Sequence, residues 1–190
     1  MILKKIISLI VRGLSKYLDR FRNVINLLYL NIKYPNSTIT FDNYFGRGCV
    51  IKCTVNSKLK ITNSSIDSGS VIISDHGGDL NISNSFIGRN CVIVARDKIT
   101  IEPNCQIAEM VVVRDQNHKF GQEGKTILEQ GFSVAPITIK ENVWLGAKVT
   151  VTAGSSIGKN TVVGSNAVVL SELEANAVYV GVPAKKVHSF

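Results

Sequence analysis

The sequence is poor in the residues that most often announce a site. It holds three histidines (His76, His118 and His188), one tryptophan (Trp144) and four cysteines (Cys49, Cys53, Cys91 and Cys105). No CxxC pair occurs and no histidines stand at zinc-ligand spacing, so no metal is expected. Long apolar runs are also missing. Arg12 interrupts the N-terminal run well before the ~20 residues of a membrane span. The stretch from Ile6 to Val11 is short for a signal-peptide core, and no small-residue cleavage site follows. The chain is therefore expected in the cytoplasm, a reducing compartment in which a disulfide framework is not expected. The cysteines then read as small buried side chains.

Charge is unevenly spread. The net charge is +8, but residues 1–35 carry Lys4, Lys5, Arg12, Lys16, Arg20, Arg22 and Lys33 against Asp19 alone, a local +6. The rest of the chain holds only +2. Neither a recognisable motif nor an aromatic platform accompanies this basicity, which excludes nucleic acid as the expected partner. Leu3, Ile7, Ile10, Leu14, Leu18, Phe21, Ile25 and Leu28 recur every three or four residues, the stripe of an amphipathic helix over residues 1–34. Two roles fit that helix: peripheral contact with an anionic membrane, or packing on the main domain or a neighbouring subunit.

The strongest pattern has a period of six. From Ile139 the hexads read IKENVW, LGAKVT, VTAGSS, IGKNTV and VGSNAV, and Val169 begins the next. Ile139, Leu145, Val151, Ile157, Val163 and Val169 are all aliphatic, and Gly follows at 146, 158 and 164. The fifth position is always small or β-branched. No helix has this period, and a plain strand alternates every two. Short strands that each turn one aliphatic residue inward and then bend make stacked triangular coils, with 18 residues to the turn. Glycine suits the corners because it tolerates positive φ. Upstream, Ile39, Phe45 and Ile51, Ile87 and Ile93, and Ile101, Ile107 and Val113 keep the step. Residues 54–86, rich in Ser and Asn, are expected to form looser coils. The expected architecture is all-β, a parallel β-helix over residues 35–178 with an N-terminal amphipathic α-helix. A polar, glycine-broken loop at 119–135 interrupts it, and residues 179–190 form a C-terminal tail.

The hexads, the stretch PITIKENVWLGAKV at 136–149 and the ending YVGVPAKKV at 179–187 resemble the hexapeptide-repeat acyltransferases. That family includes galactoside and maltose O-acetyltransferases. The segment IAEMVVVRDQNHKF at 107–120 is most similar to the branch that modifies capsule and O-antigen polysaccharides. The resemblance spans residues 87–188 and implies a left-handed β-helix, acetyl-CoA as co-substrate, a carbohydrate acceptor and a homotrimer. The expected activity is O-acetylation of a sugar hydroxyl in a surface polysaccharide or its lipid-linked precursor. Two alternatives stand beside it: N-acetylation of an amino-sugar nucleotide, and a scaffold or glycan-binding β-helix without catalysis.

Acyl transfer to a hydroxyl requires a base for its proton, a thioester within reach and a donor for the oxyanion. His118 matches the family's catalytic histidine and stands where the hexads stop. Asp115 and Asn117, in the same turn, are candidates to orient the imidazole or hold sugar hydroxyls, and Glu109 is a weaker one. His76, in SDHGGD, reads as a turn residue. For the coenzyme, the resemblance points to the groove between coils near Ala147 and Ser165, which stand 18 residues apart. Gly146 and Gly164 would admit the ligand closely, Trp144 would line the acyl end, and Lys185 with Lys186 would meet phosphates. Leu170-Ser171 replaces the family's usual Thr-Lys, which removes part of that phosphate grip.

Overall fold

Ile39, Ile61, Ile82, Ile101, Ile139 and Ile157 lie above one another in the computed structural model, which describes residues 2–190. The side chains of Leu3, Ile7, Ile10, Arg12 and Lys16 fall outside the described residues. The isoleucine column is one inner corner of a solenoid whose strands form three flat, parallel faces. The first face begins with Ser37–Ile39, the second with Tyr44–Phe45 and the third with Val50–Cys53. Matching columns line the other two faces: Phe45, Ile66, Ile87, Ile107, Leu145 and Val163 on the second, and Ile51, Ile72, Ile93, Val113, Val151 and Val169 on the third. Every member of these columns is buried, because each coil covers the apolar edge of the next.

The period changes along the solenoid. It is 18 residues between Ile139 and Ile157, but 21 between Ile61 and Ile82. The early coils have strands of four or five residues on the first and third faces, such as Lys58–Thr62 and Val71–Ser74. Each of their first-face strands turns two residues inward, as Leu59 with Ile61 and Leu80 with Ile82. Residues 54–86 are thus regular, longer coils and not loose ones; a step of six misses them because the repeat unit is larger.

Their Ser and Asn residues satisfy the corners. Asn84 Nδ2 donates to Asn104 Oδ1 at 2.7 Å and Asn63 Nδ2 donates to Asn84 Oδ1 at 2.7 Å. All three sit at positive φ, which Asn tolerates better than other side-chain-bearing residues. Asn142, Asn160 and Asn176 continue the same ladder in the later coils. Ser64 and Ser85 point inward below Cys105 and bond to carbonyls of their own corners. Cys53, Cys91 and Cys105 are buried among these columns, whereas Cys49 is only half-buried.

The glycines after the aliphatic positions serve a different purpose from the one the sequence suggested. Gly146, Gly158 and Gly164 do not have positive φ. A Cβ on Gly158 would lie 2.4 Å from the Ala175 backbone nitrogen. The corner is bare because the next coil passes directly over it. Positive φ falls two residues later, at Lys148, Asn160 and Asn166.

The helix α1 (Ile2–Lys33) closes the open end of the first coil. Asn23 replaces a missing strand there: its Nδ2 donates to Asn43 O at 2.8 Å and its Oδ1 accepts Phe45 N–H at 2.9 Å. Asn31 Nδ2 donates to Ile39 O, and Leu27 and Leu30 bury themselves on the core. An exposed solenoid end would present unpaired backbone and apolar side chains, so such a cap is required. At the other end, Ala177–Val180 adds a strand to the second face and Lys185–Ser189 folds back on it antiparallel. The first of these strands straddles the boundary expected at 178/179.

Candidate active site

The solenoid breaks once, at the corner that follows the third face of the fourth coil. Gln116–His118 and Phe132–Val134 form an antiparallel hairpin with His118 opposite Phe132. Its loop folds around the buried Gln130, whose Oε1 accepts Gln122 N–H and whose Nε2 donates to Lys125 O. Phe120, Ile127 and Leu128 remain exposed on the loop.

His118 is exposed, and one side of its imidazole is held. The Phe132 ring lies 4.3 Å away, centre to centre, and the Arg96 guanidinium lies 4.0 Å from the centre of that same Phe132 ring. Arg96 Nε is fixed in turn by Asp75 Oδ1 at 3.2 Å, an oxygen that also stands 3.0 Å from His76 Nδ1. Phe132, Arg96 and Asp75 were not singled out from the sequence. One signal was available: Asp75, Arg96 and Asp115 are spaced by about one coil, so they stack at one corner.

Asp115 does not orient the imidazole in this chain. Its carboxylate is fully buried and accepts N–H bonds from Arg96 at 2.8 Å and Asp97 at 2.8 Å. Burial raises its pKa, and the amide donors oppose that rise. It ties the hairpin's root to the coil before it. Among the described residues no side chain hydrogen-bonds the His118 ring, so its nitrogens are open to an incoming hydroxyl. Asn117 is exposed beside it, its carbonyl facing Ser133 Oγ at 3.5 Å. Glu109 is elsewhere: it lies at the corner between the second and third faces, where its carbonyl accepts Lys148 N–H.

Of the residues expected at the coenzyme, Gly146, Ala147, Gly164 and Ser165 share that second corner. Ala147 O accepts Asn166 N–H at 2.9 Å, which stacks residues 146–147 on 164–166. Gly146 and Gly164 are closed by the protein itself. A Cβ on Gly146 would meet Ser165 N at 2.7 Å, and one on Gly164 would meet Val180 Cγ1 at 2.8 Å. Their lack of a Cβ makes room for the coil stacked on them. Trp144 stands exposed on the outer second face in a column with Phe86 and Gln106. Residues 181–184 cross the same corner through bonds between Val168 and both Gly181 and Ala184, which brings Lys185 to its edge, whereas Lys186 lies further along the second face, opposite Tyr179. Lys186 is paired with Glu174 at 2.6 Å, whereas Lys185 is exposed.

The two groups of residues therefore occupy different corners of one chain, separated by the third face. That face carries Val50, Val71, Val92, Val112, Thr150 and Val168 on its outside. The first face carries Thr38, Lys60, Asn81, Thr100, Thr138 and Ser156. The third face is thus richer in outward apolar side chains than the first, although Lys52 and Arg114 also stand exposed on it.

Residues 136–171 match the model of the bacterial transferase hexapeptide (six repeats) family. The chain is 34% identical over 113 residues to a putative acetyltransferase of Saccharomyces cerevisiae, covering 58% of this chain and 56% of that one. It is 33% identical over 111 residues to galactoside O-acetyltransferase of Escherichia coli, covering 58% and 54%. The match thus spans about half the length of these relatives. In fold it is similar to an N-acyltransferase from Bacillus cereus solved with dTDP-4-amino-4,6-dideoxyglucose and coenzyme A, with a TM-score of 0.70, 20% identity and 84% and 87% of the two chains covered.

Proposed function

We propose that this chain, a member of the hexapeptide-repeat acyltransferase family, transfers an acetyl group from acetyl-CoA to a sugar hydroxyl, with His118 as the general base. The observation that carries this reading is the His118 imidazole, held on one side by Phe132 and open at its nitrogens on a hairpin that breaks an otherwise regular solenoid. As the acceptor oxygen attacks the thioester carbonyl carbon, the imidazole takes its proton. The carbon–sulfur bond then breaks, and the imidazolium returns the proton to the leaving thiolate. Asn117, next to the base, is placed to hold acceptor hydroxyls.

The coenzyme's pantetheine arm would run along the corner of Ala147 and Ser165, with Trp144 near its acyl end and Lys185 toward its phosphates. Because these residues and His118 occupy different corners, a complete site takes two subunits. A homotrimer with the valine-rich third face at its contacts brings the hairpin of one chain to the coenzyme corner of the next. Glu109, at that second corner, would then meet the acceptor from the neighbouring chain. The acceptor we favour is a unit of a surface polysaccharide, capsule or O-antigen, or its lipid-linked precursor, modified in the cytoplasm.

N-acetylation of an amino-sugar nucleotide is the second reading, supported by the fold's likeness to the Bacillus cereus N-acyltransferase. Thiol release from acetyl-CoA, measured against glycans and nucleotide sugars, tests both. An acetyl group lost in mild base is an ester and supports O-transfer. A base-stable product is an amide and supports the second reading.

A further inference from the structure

The helix α1 meets the β-helix through its less apolar side. Asn23, Leu27 and Leu30 are the residues it buries on the first coil. At 100° per residue, Leu14, Leu18, Phe21, Ile25, Leu28 and Ile32 fall in a sector of roughly 80° on the opposite side. All six are exposed, from 47% at Leu28 to 81% at Ile32. Tyr17 and Tyr29, also exposed, stand at the two borders of this stripe, and no charged residue lies within it.

What surrounds the stripe is cationic. Exposed Lys4 and Lys33 lie beyond one border and Arg20 beyond the other, with exposed Lys5 on the far side, and the helix's one acid, Asp19, is already engaged by Arg47 at 3.0 Å and Arg22 at 3.6 Å. Among the described residues no helix is long and apolar enough to cross a membrane. A charge-free apolar stripe, tyrosines at its margins and lysines and arginines beyond them are the properties of a helix lying in a lipid headgroup layer. The tyrosines are amphipathic and suit that boundary.

We propose that α1 is an interfacial anchor: Leu14, Leu18, Phe21, Ile25, Leu28 and Ile32 bed into an anionic phospholipid surface while Asn23, Leu27 and Leu30 hold the β-helix on the other side. The orientation follows from the cap. The stripe faces away from the first coil, so the solenoid stands on its N-terminal end. His118 follows the fourth coil, three strand spacings of ~4.8 Å, or ~15 Å, above the first. This deepens the functional reading by placing the acceptor at a membrane surface, but the evidence for it is independent of acetyl transfer.

The test is flotation of the full chain with vesicles of phosphatidylcholine alone, and of phosphatidylcholine mixed equally with phosphatidylglycerol. The chain is expected to float with the mixed vesicles and to do so less at high salt. Leu18→Glu/Phe21→Glu is expected to weaken that partition by at least ~10-fold, because two apolar side chains leave the interface. Both sites are exposed, so its circular dichroism and its mass by sedimentation velocity should match those of the unaltered chain. Lys4→Ser/Lys5→Ser/Arg20→Ser, which keeps the stripe, should lose the preference for anionic vesicles. No flotation of the unaltered chain overturns the proposal. So does undiminished flotation of the double variant, or a drop in its mass, which would make the stripe a contact between copies. CoA release with a soluble acceptor, unchanged in the double variant, keeps this result separate from the enzymatic reading.

Discussion

Arg96 lies with its guanidinium carbon 4.0 Å from the centre of the Phe132 ring, and the same ring supports His118 at 4.3 Å. The arginine is itself anchored by Asp75 one coil earlier, so the imidazole rests on a stack rooted in the solenoid wall. Phe132→Ala removes the support but leaves the imidazole. The expected result is a fall in kcat of about 10- to 100-fold with KM for acetyl-CoA nearly unchanged, since a displaced base costs rate more than binding. Arg96→Lys keeps a cation near Asp75 but loses the planar stack, and should fall between. Steady-state kinetics of both variants check this.

The asparagine ladder should be a source of stability. Asn84 combines positive φ with side-chain bonds to Asn63 and Asn104. Asn84→Ala forfeits both bonds and strains the backbone, for a loss of about 1–2 kcal/mol. Asn84→Gly forfeits the bonds but relieves the strain, and should lose less. Thermal or denaturant unfolding of the pair measures the difference.

Gly158→Ala tests the coil-stacking account of the glycines. The added Cβ would stand 2.4 Å from a backbone atom, so the next coil must move. A loss of about 3 kcal/mol or more, or failure to fold, is expected, well above the usual cost for one mutation. Unfolding curves, or soluble yield where folding fails, report it.

The thiols should be inert in the folded chain. Burial pushes Cys91 up to about 11, and it raises Cys53, Cys105 and Cys49 as well. A raised thiol pKa means less thiolate, the reactive form, at pH 8. Titration with a thiol reagent at pH 8 should modify four groups in denaturant and almost none in the native state, with half-buried Cys49 the first to react.

Much of this was legible in the chain. The six-residue step from Ile139 to Val169 gave three faces and their buried columns, and the stop after His118 marked the hairpin. The features that were not legible have physical causes. Leu59, Leu80 and Ile99 belong to strands that turn two residues inward, which lengthens the coil and spoils a fixed step. Phe132 and Arg96 reach His118 only through the hairpin's register and the stacking of corners, neither of which a local motif records. Asp115 looked like a partner for the imidazole because it is three residues away, yet its carboxylate turns to the Arg96 and Asp97 amides. The helix stripe was plain from its spacing, but that it points away from the body follows only from where Asn23 and Leu27 dock.

We propose His118 as the base of an acetyl transfer. The direct measurement is CoA thiol release by the full chain and by His118→Ala, with a responsive glycan or nucleotide sugar as acceptor. His118 is exposed and bonded to no other side chain among the described residues, so the variant should keep its fold and melting temperature. A rate reduced by about 100-fold or more, with the melting temperature unchanged, is the predicted result. A rate equal to that of the unaltered chain would contradict it.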